Sequence, residues 1–274
     1  MTATSAWLNG EPVAGLAYSR GLHYGDGLFR TLLKYSSQLA DFERQYEKIE
    51  SDAAALGLSP PSAAVLRSEA EALSAGHERC VIKILLLRAG ADRGYRPRAT
   101  ACDRLLLRYP LTDDPPEYWS RGIEAFRCKL ALSWQPALAG IKHLNRLEQV
   151  LATRDWRETA QEGILCDEQG APVSGTRSNL FWVDSGILYT PDLERCGVKG
   201  MMRDKVLACT GALGLPVRVG HWPWSVLSNA AEAFVTNSLI GIWPLRALDQ
   251  THWAAPGAVT RHLMDALGHP RKGE

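Results

Sequence analysis

Apolar and polar residues along the chain alternate in short strand-like and helix-like stretches. Ala6-Trp7-Leu8 followed by Asn9-Gly10 predicts a strand entering a hairpin, because Asn-Gly supplies the positive φ of a type I′ turn. Leu28 to Tyr35 predicts a second strand. Arg44 to Leu56 has helical periodicity closed by Gly57, and Pro60-Pro61-Ser62 opens a helix from Ala63 to Ala75 that stops at Gly76. Val81 to Arg88 and Arg104 to Tyr109 are β-rich runs with a basic loop between them. Further on, Ile123 to Leu132, Gly163 to Asp167, Leu180 to Val183, Ile187 to Tyr189 and Ala233 to Asn237 predict strands. Asn145 to Trp156 and Lys199 to Gly211 predict helices. The sum is an α+β chain built mostly of antiparallel hairpins.

Proline and acid cluster without periodicity only in PLTDDPPEY, which ends at Tyr118. That run predicts a smaller N-terminal domain (1–110), a linker (111–118) and a larger C-terminal domain (119–274). With 274 residues and 46% apolar content the chain can bury a substantial core without a disulfide or metal staple. A net charge of +1 leaves no global positive field, against a dedicated nucleic-acid binder. No apolar run approaches the roughly 20 residues of a membrane helix, and MTATSAWLNGEP lacks a basic stretch followed by an apolar one, so no signal peptide is expected. The six cysteines show no C-x-x-C pair and no histidine at ligand spacing. A soluble cytoplasmic protein with reduced thiols and no metal is expected.

Three stretches carry chemistry. In GIKHLNRLEQ, Lys142 sits between apolar neighbours just before a helix; on periodicity alone it also reads as a solvated turn lysine. SGTRSNLF, from Ser174 to Phe181, is a small polar turn entering an apolar strand. CGVKGMMR, from Cys196 to Arg203, places glycines at a helix start, where free N–H groups and the helix dipole suit a phosphate, although plain turn chemistry explains it equally well.

Taken in order, SRGLHYGDGLFRT (Ser19 to Thr31), GIKHLNRLEQV (Gly140 to Val150), SGTRSNLFW (Ser174 to Trp182) and GVKGMMR (Gly197 to Arg203) resemble the fold-type-IV pyridoxal-phosphate enzymes. Within them the chain is most similar to the aminodeoxychorismate lyase branch, through KHLNRLEQV. The resemblance covers about Trp7 to Leu248. It implies a two-domain α+β architecture with pyridoxal 5′-phosphate between the domains. It also implies release of 4-aminobenzoate and pyruvate from 4-amino-4-deoxychorismate in folate biosynthesis, and a homodimer. Alternatives are a D- or branched-chain amino-acid aminotransferase and a weakly active, non-catalytic homologue.

By the same resemblance, Lys142 is the Schiff-base lysine and general base, and Thr31 a small hydroxyl facing the substrate. Val198 and Lys199 offer backbone amides to the cofactor phosphate, joined by Asn237 and Ser238, while Asn179 shapes the ring pocket. Lys48 stands where the family places a phosphate-binding arginine, which keeps the charge and loses the bidentate fork. Ser174 stands where the family pairs a glutamate with the pyridine nitrogen. A hydroxyl stabilises a protonated ring poorly, which is tolerable for an elimination driven by aromatisation and troublesome for amino transfer. The substrate is a small dicarboxylate, and Tyr24, Arg93 and Tyr95 match the segments that meet it, guanidinium groups suiting carboxylates. Arg30, where relatives often carry glutamate, has no explanation at this level.

Overall fold

The computed structural model describes residues 5–12, 19–90 and 94–271. The chain forms two compact units: residues 1–113 with 141–145, and residues 114–140 with 146–274.

The first unit contains β1 (Ser5–Leu8), β2 (Glu11–Pro12), α1 (Arg20–Tyr24), β3 (Gly27–Tyr35), β4 (Gln38–Leu39), α2 (Phe42–Ala55), α3 (Ala63–Leu73), β5 (Cys80–Arg88) and β6 (Cys102–Tyr109). Its strands form one six-stranded antiparallel sheet in the order β2-β1-β6-β5-β3-β4. Asn9 and Gly10 carry the positive φ values, 54° and 86°, that the β1–β2 turn requires. Side chains of a strand alternate between faces. Leu28, Leu32, Ile82, Ile84 and Leu86 therefore share one face and pack with Phe42, Ile49, Leu66 and Ala70 of α2 and α3 in a closed core. Phe29, Thr31, Lys83 and Leu85 take the opposite face and are only half buried.

The second unit contains α4 (Glu117–Ser120), β7 (Ile123–Leu132), α5 (Leu147–Ala152), β8 (Glu162–Asp167), β9 (Pro172–Gly175), β10 (Asn179–Asp184), β11 (Ile187–Pro191), α6 (Met201–Ala212), β12 (Val217–Gly220), α7 (Trp224–Ser228), β13 (Glu232–Asn237), β14 (Gly241–Leu248), β15 (Thr251–His252) and α8 (Ala258–Leu267). Its strands run β12-β11-β10-β13-β14-β7-β8-β9, and β9 pairs back to β10, so six of them close into a barrel. The expectation of mostly antiparallel hairpins is too simple here: β7 pairs in parallel with both β8 and β14, and β11 with β12. Ile123, Ile164, Leu180, Phe234, Trp243 and their neighbours form one buried cluster on the two faces of this sheet. The helix expected from Asn145 to Trp156 is shorter, giving way after Ala152 to a 3₁₀ turn at Thr153–Asp155.

The six cysteines are free. Burial pushes the Cys128 and Cys196 thiols up to about 12, and Cys166 to about 11. At pH 8 these three are expected to react with iodoacetamide at least ~100-fold more slowly than an ordinary cysteine, because the thiolate is the nucleophile. Peptide mapping after timed alkylation reads this directly; labelling at the ordinary rate would contradict the burial.

Candidate active site

Lys142 was expected in the C-terminal part, but the segment Ile141–Asn145 belongs with the first unit. The reason is main-chain pairing. Phe29 N–H donates to the Lys142 carbonyl and Leu144 N–H to the Gly27 carbonyl, both at 3.0 Å, and Leu28 bridges His143. Gly27 is obligatory at this crossing, because a Cβ there would lie 2.2 Å from the Leu86 carbonyl oxygen and 2.9 Å from Leu144. The Lys142 N–H donates to Asp52 Oδ2 at 3.0 Å. Its ammonium lies 4.7 Å from the centroid of the Phe29 ring, and Lys83 Nζ lies at the same distance from that ring. Lys83 stands directly opposite Thr31 in the β3–β5 register. Half-buried Lys142, Phe29, Thr31 and Lys83 thus gather at the open face of the sheet, and burial lowers the Lys83 pKa from its usual value.

Sequence reasoning passed over Lys83. The available signal was one lysine interrupting the apolar run CVIKILLLR; its pairing with Thr31 between β3 and β5 shows only in the fold. Lys48 lies half buried on α2, and its carbonyl accepts from Arg30 Nη2 at 3.4 Å. Arg30 itself points to the helix side of the sheet and pairs with Asp52.

Tyr24 and Tyr95 meet edge to face with centroids 5.7 Å apart, and the Tyr24 hydroxyl accepts from Gly94 N–H at 3.0 Å. Arg20 binds Asp26 and the Gly94 carbonyl, so the loop after β5 is tied down at Gly94, while Tyr95 stays 90% exposed. Arg93 lies outside the described residues. Two other arginines of the basic stretch are structural. Arg88 is held by Asp26 and the carbonyls of Leu56, Gly57 and Ala99, and Arg104 is held by Glu69.

In the second unit, Ser174 and Asn179 are both buried and face each other where β9 meets β10 and the barrel closes. Asn179 spans the next loop: its Nδ2 donates to the Val198 carbonyl at 2.7 Å, and its Oδ1 accepts from Gly200 N–H at 3.1 Å. Gly200 caps α6, and a Cβ there would lie 2.3 Å from Asn179 Oδ1. Gly140 takes φ +81° beside this loop, donating to the Gly197 carbonyl and accepting from Lys199 N–H. The Lys199 amide expected on a phosphate is therefore already spent on Gly140. The first-turn N–H groups of Met201 and Met202 lack intrahelical acceptors by helix geometry and point the positive end of the dipole outward.

Asn237 is spent on shaping its own turn. Its Oδ1 accepts from Leu239 and Ile240 N–H, and its Nδ2 donates to the Arg177 carbonyl at 3.3 Å. The Ser238 carbonyl accepts from His269 Nε2 at 3.2 Å. Val198, Ser174, Asn179, Asn237 and Ser238 thus cluster around two linked turns, with Arg177 joining them.

Each unit, taken by itself, carries part of what a phosphorylated aromatic aldehyde needs. A half-buried amine at an aromatic face can carry the aldehyde, and a glycine-capped helix start admits an anion at its main-chain N–H groups.

The pattern of the family Amino-transferase class IV matches residues 27–248. The chain is 32% identical to an aminodeoxychorismate lyase of Vibrio harveyi, across 88% of this chain and 90% of that protein. The crystal structure of 4-amino-4-deoxychorismate lyase from Pseudomonas aeruginosa superposes with a TM-score of 0.90 at 40% identity, covering 96% of this chain and 97% of that one. The branched-chain amino acid aminotransferase of Escherichia coli shares the fold at a TM-score of 0.85 and 23% identity, over 100% and 97% of the two chains. By a family pattern spanning most of its length and by relatives matched nearly end to end, this chain belongs to the class IV amino-transferase family.

Proposed function

We propose that this chain is a pyridoxal-phosphate lyase that converts 4-amino-4-deoxychorismate to 4-aminobenzoate and pyruvate, with Lys142 as both attachment point and base. Bound pyridoxal 5′-phosphate supplies an aldehyde that takes up amines and a ring that draws electrons from the amino-bearing carbon. Lys142, besides holding that aldehyde, would be the base that takes the proton from that carbon. The neighbouring carbon–oxygen bond then breaks, enolpyruvate leaves and ketonises to pyruvate, and the six-membered ring becomes aromatic. Thr31 offers a hydroxyl on the Lys142 face, and the Lys83 ammonium opposite it suits a substrate carboxylate. Val198, Met201 and Met202 would hold the phosphate through main-chain N–H groups, with Asn179 and Gly200 setting the helix start. Covalent continuity supports this division of labour, since Lys142 follows only two residues after Gly140, whose backbone pairs with Gly197 and Lys199.

The observation that favours elimination over amino transfer is Ser174, a hydroxyl buried at the barrel seam where amino transfer wants a carboxylate. With substrate and cofactor, the purified protein is expected to release 4-aminobenzoate and pyruvate in equal amounts, with negligible transfer from alanine or glutamate. Ser174→Glu is expected to raise transfer, with thermal stability followed in parallel because overpacking costs about 1–3 kcal/mol. Strong transfer by the wild-type protein without 4-aminobenzoate would overturn the reading.

The reading includes a homodimer in the cytoplasm. Leu147 and Val150 on α5 stand 74% and 59% exposed, with Leu151 and Trp156 beside them, an apolar strip of the kind a partner subunit covers. Among the described residues no helix is long and apolar enough to cross a membrane. Light scattering at micromolar concentration tests the dimer; a monomer with full activity would refute it.

A further inference from the structure

We propose that the buried Arg30–Asp52 ion pair is a positioning clamp for Lys142, holding its main chain so that only its side chain moves during the reaction. This rests on the reading of Lys142 as the cofactor-bearing base. Arg30 projects from β3 toward α2, and Asp52 stands on the last turns of α2; their side chains are 2% and 5% exposed and form an ion pair. Around them lie Leu28, Ile49 and Ile84, all fully buried. Desolvating two such charges costs several kcal/mol per ion, and well-packed apolar residues in their place are often as stable or more so. Stability alone therefore does not explain why a full charge pair sits under this sheet.

What the pair touches does explain it. Asp52 Oδ2, already engaged by Arg30, accepts the Lys142 N–H at 3.0 Å, while the Lys142 carbonyl accepts from Phe29 N–H at 3.0 Å. Both main-chain polar groups of residue 142 are thus held, one by a charge-assisted bond. Arg30 offsets the carboxylate, so a strong acceptor is delivered to the backbone of the reactive lysine without a net negative charge beside it. Arg30 also donates to the Lys48 carbonyl at 3.4 Å, tying the same pair to a second residue expected at the cofactor. A lysine that serves as anchor and then as base must swing its amine through a short arc. A fixed backbone confines that motion to the side-chain torsions, and small misplacements of catalytic groups are costly in rate.

The test compares the wild-type holoenzyme with Arg30→Met/Asp52→Leu, which removes both charges together and buries no lone ion. Hydrogen exchange of the Lys142 amide is expected to accelerate at least about tenfold, since its acceptor is gone. kcat is expected to fall at least about tenfold with KM nearly unchanged, while the thermal midpoint stays close to that of the wild type. Arg30→Met/Asp52→Asn, which keeps a neutral acceptor in place, is expected to restore slow exchange and most of kcat. Should the apolar variant fail to fold, Arg30→Met/Asp52→Ser, whose hydroxyl is too short to reach the Lys142 amide, takes its place in the same comparison. Unchanged Lys142 exchange and kcat in the acceptor-free variant would overturn the clamp. Cofactor captured by borohydride on a lysine other than 142 in the wild type would instead overturn the reading on which it rests.

Discussion

Replacing Lys142 with alanine is expected to abolish 4-aminobenzoate formation, lowering turnover by more than about 10⁴-fold, and to remove the visible absorbance of the bound cofactor. General base catalysis by one placed side chain contributes about 10²–10⁴-fold, and here the same amine also anchors the cofactor. The fold is expected to survive. The Lys142 side chain is half buried beside Phe29, whereas residue 142 is held through its main chain by Asp52 and Phe29, bonds that an alanine keeps. Thermal unfolding of the variant is therefore expected to resemble that of the wild type. A small added amine should restore part of the turnover by standing in as base. Retention of wild-type turnover by Lys142→Ala would remove Lys142 from the chemistry and leave Lys83, on the same face, as the amine to examine.

Arg271→Ala is expected to be strongly destabilising, although it lies outside the apolar cores. Arg271 is fully buried, pairs with Asp114 Oδ2 at 3.0 Å, donates to the Leu239 carbonyl at 3.4 Å and lies 5.0 Å from the Trp119 ring centroid. Breaking one side of a buried ion pair costs about 3–5 kcal/mol, and Asp114 is partly exposed, so about 3 kcal/mol is expected. At 2–4 °C per kcal/mol that is a fall in the thermal midpoint of roughly 6–12 °C. The same change should weaken cofactor binding. The C-terminal segment pins the 237–241 turn, with His269 donating to the Ser238 carbonyl and its ring lying where a Cβ on Gly241 would be. Differential scanning calorimetry and a cofactor titration read the two effects separately. A midpoint unchanged within about 2 °C would show that Arg271 is dispensable to the second unit.

Most strands were legible because period-two alternation and turn residues agree. β3 and β5 were legible instead as apolar, β-rich runs, and their register in the fold places Thr31 opposite Lys83. What escaped depends on partners distant in sequence. Nothing near Lys142 says that its carbonyl will pair with Phe29, so the chain pattern assigned it to the wrong half. Arg30 was opaque because its partner, Asp52, lies 22 residues away on a helix. β14 escaped because Pro244 interrupts its apolar run, and proline demotes a strand; it is accommodated opposite Phe234, next to a register shift between Leu245 and Ala247. Barrel closure rests on the single pair Ser174–Asn179, too small a feature to read from pattern. The candidate site was legible chiefly as motifs: Lys142, Ser174, Asn179 and Val198 were all marked. Which of their donors are already spent, as for Lys199 and Asn237, needed the folded chain.

The attachment point is open to a direct measurement. The purified protein is loaded with pyridoxal 5′-phosphate, reduced with borohydride and digested, and the peptides are mapped by mass spectrometry. Lys83 and Lys142 stand on the sheet of the first unit and Lys199 at the helix start of the second, and the phosphopyridoxyl group is expected on Lys142 alone. Its appearance on Lys83 or Lys199, or on no lysine at all, would contradict the assignment of Lys142 as anchor and base.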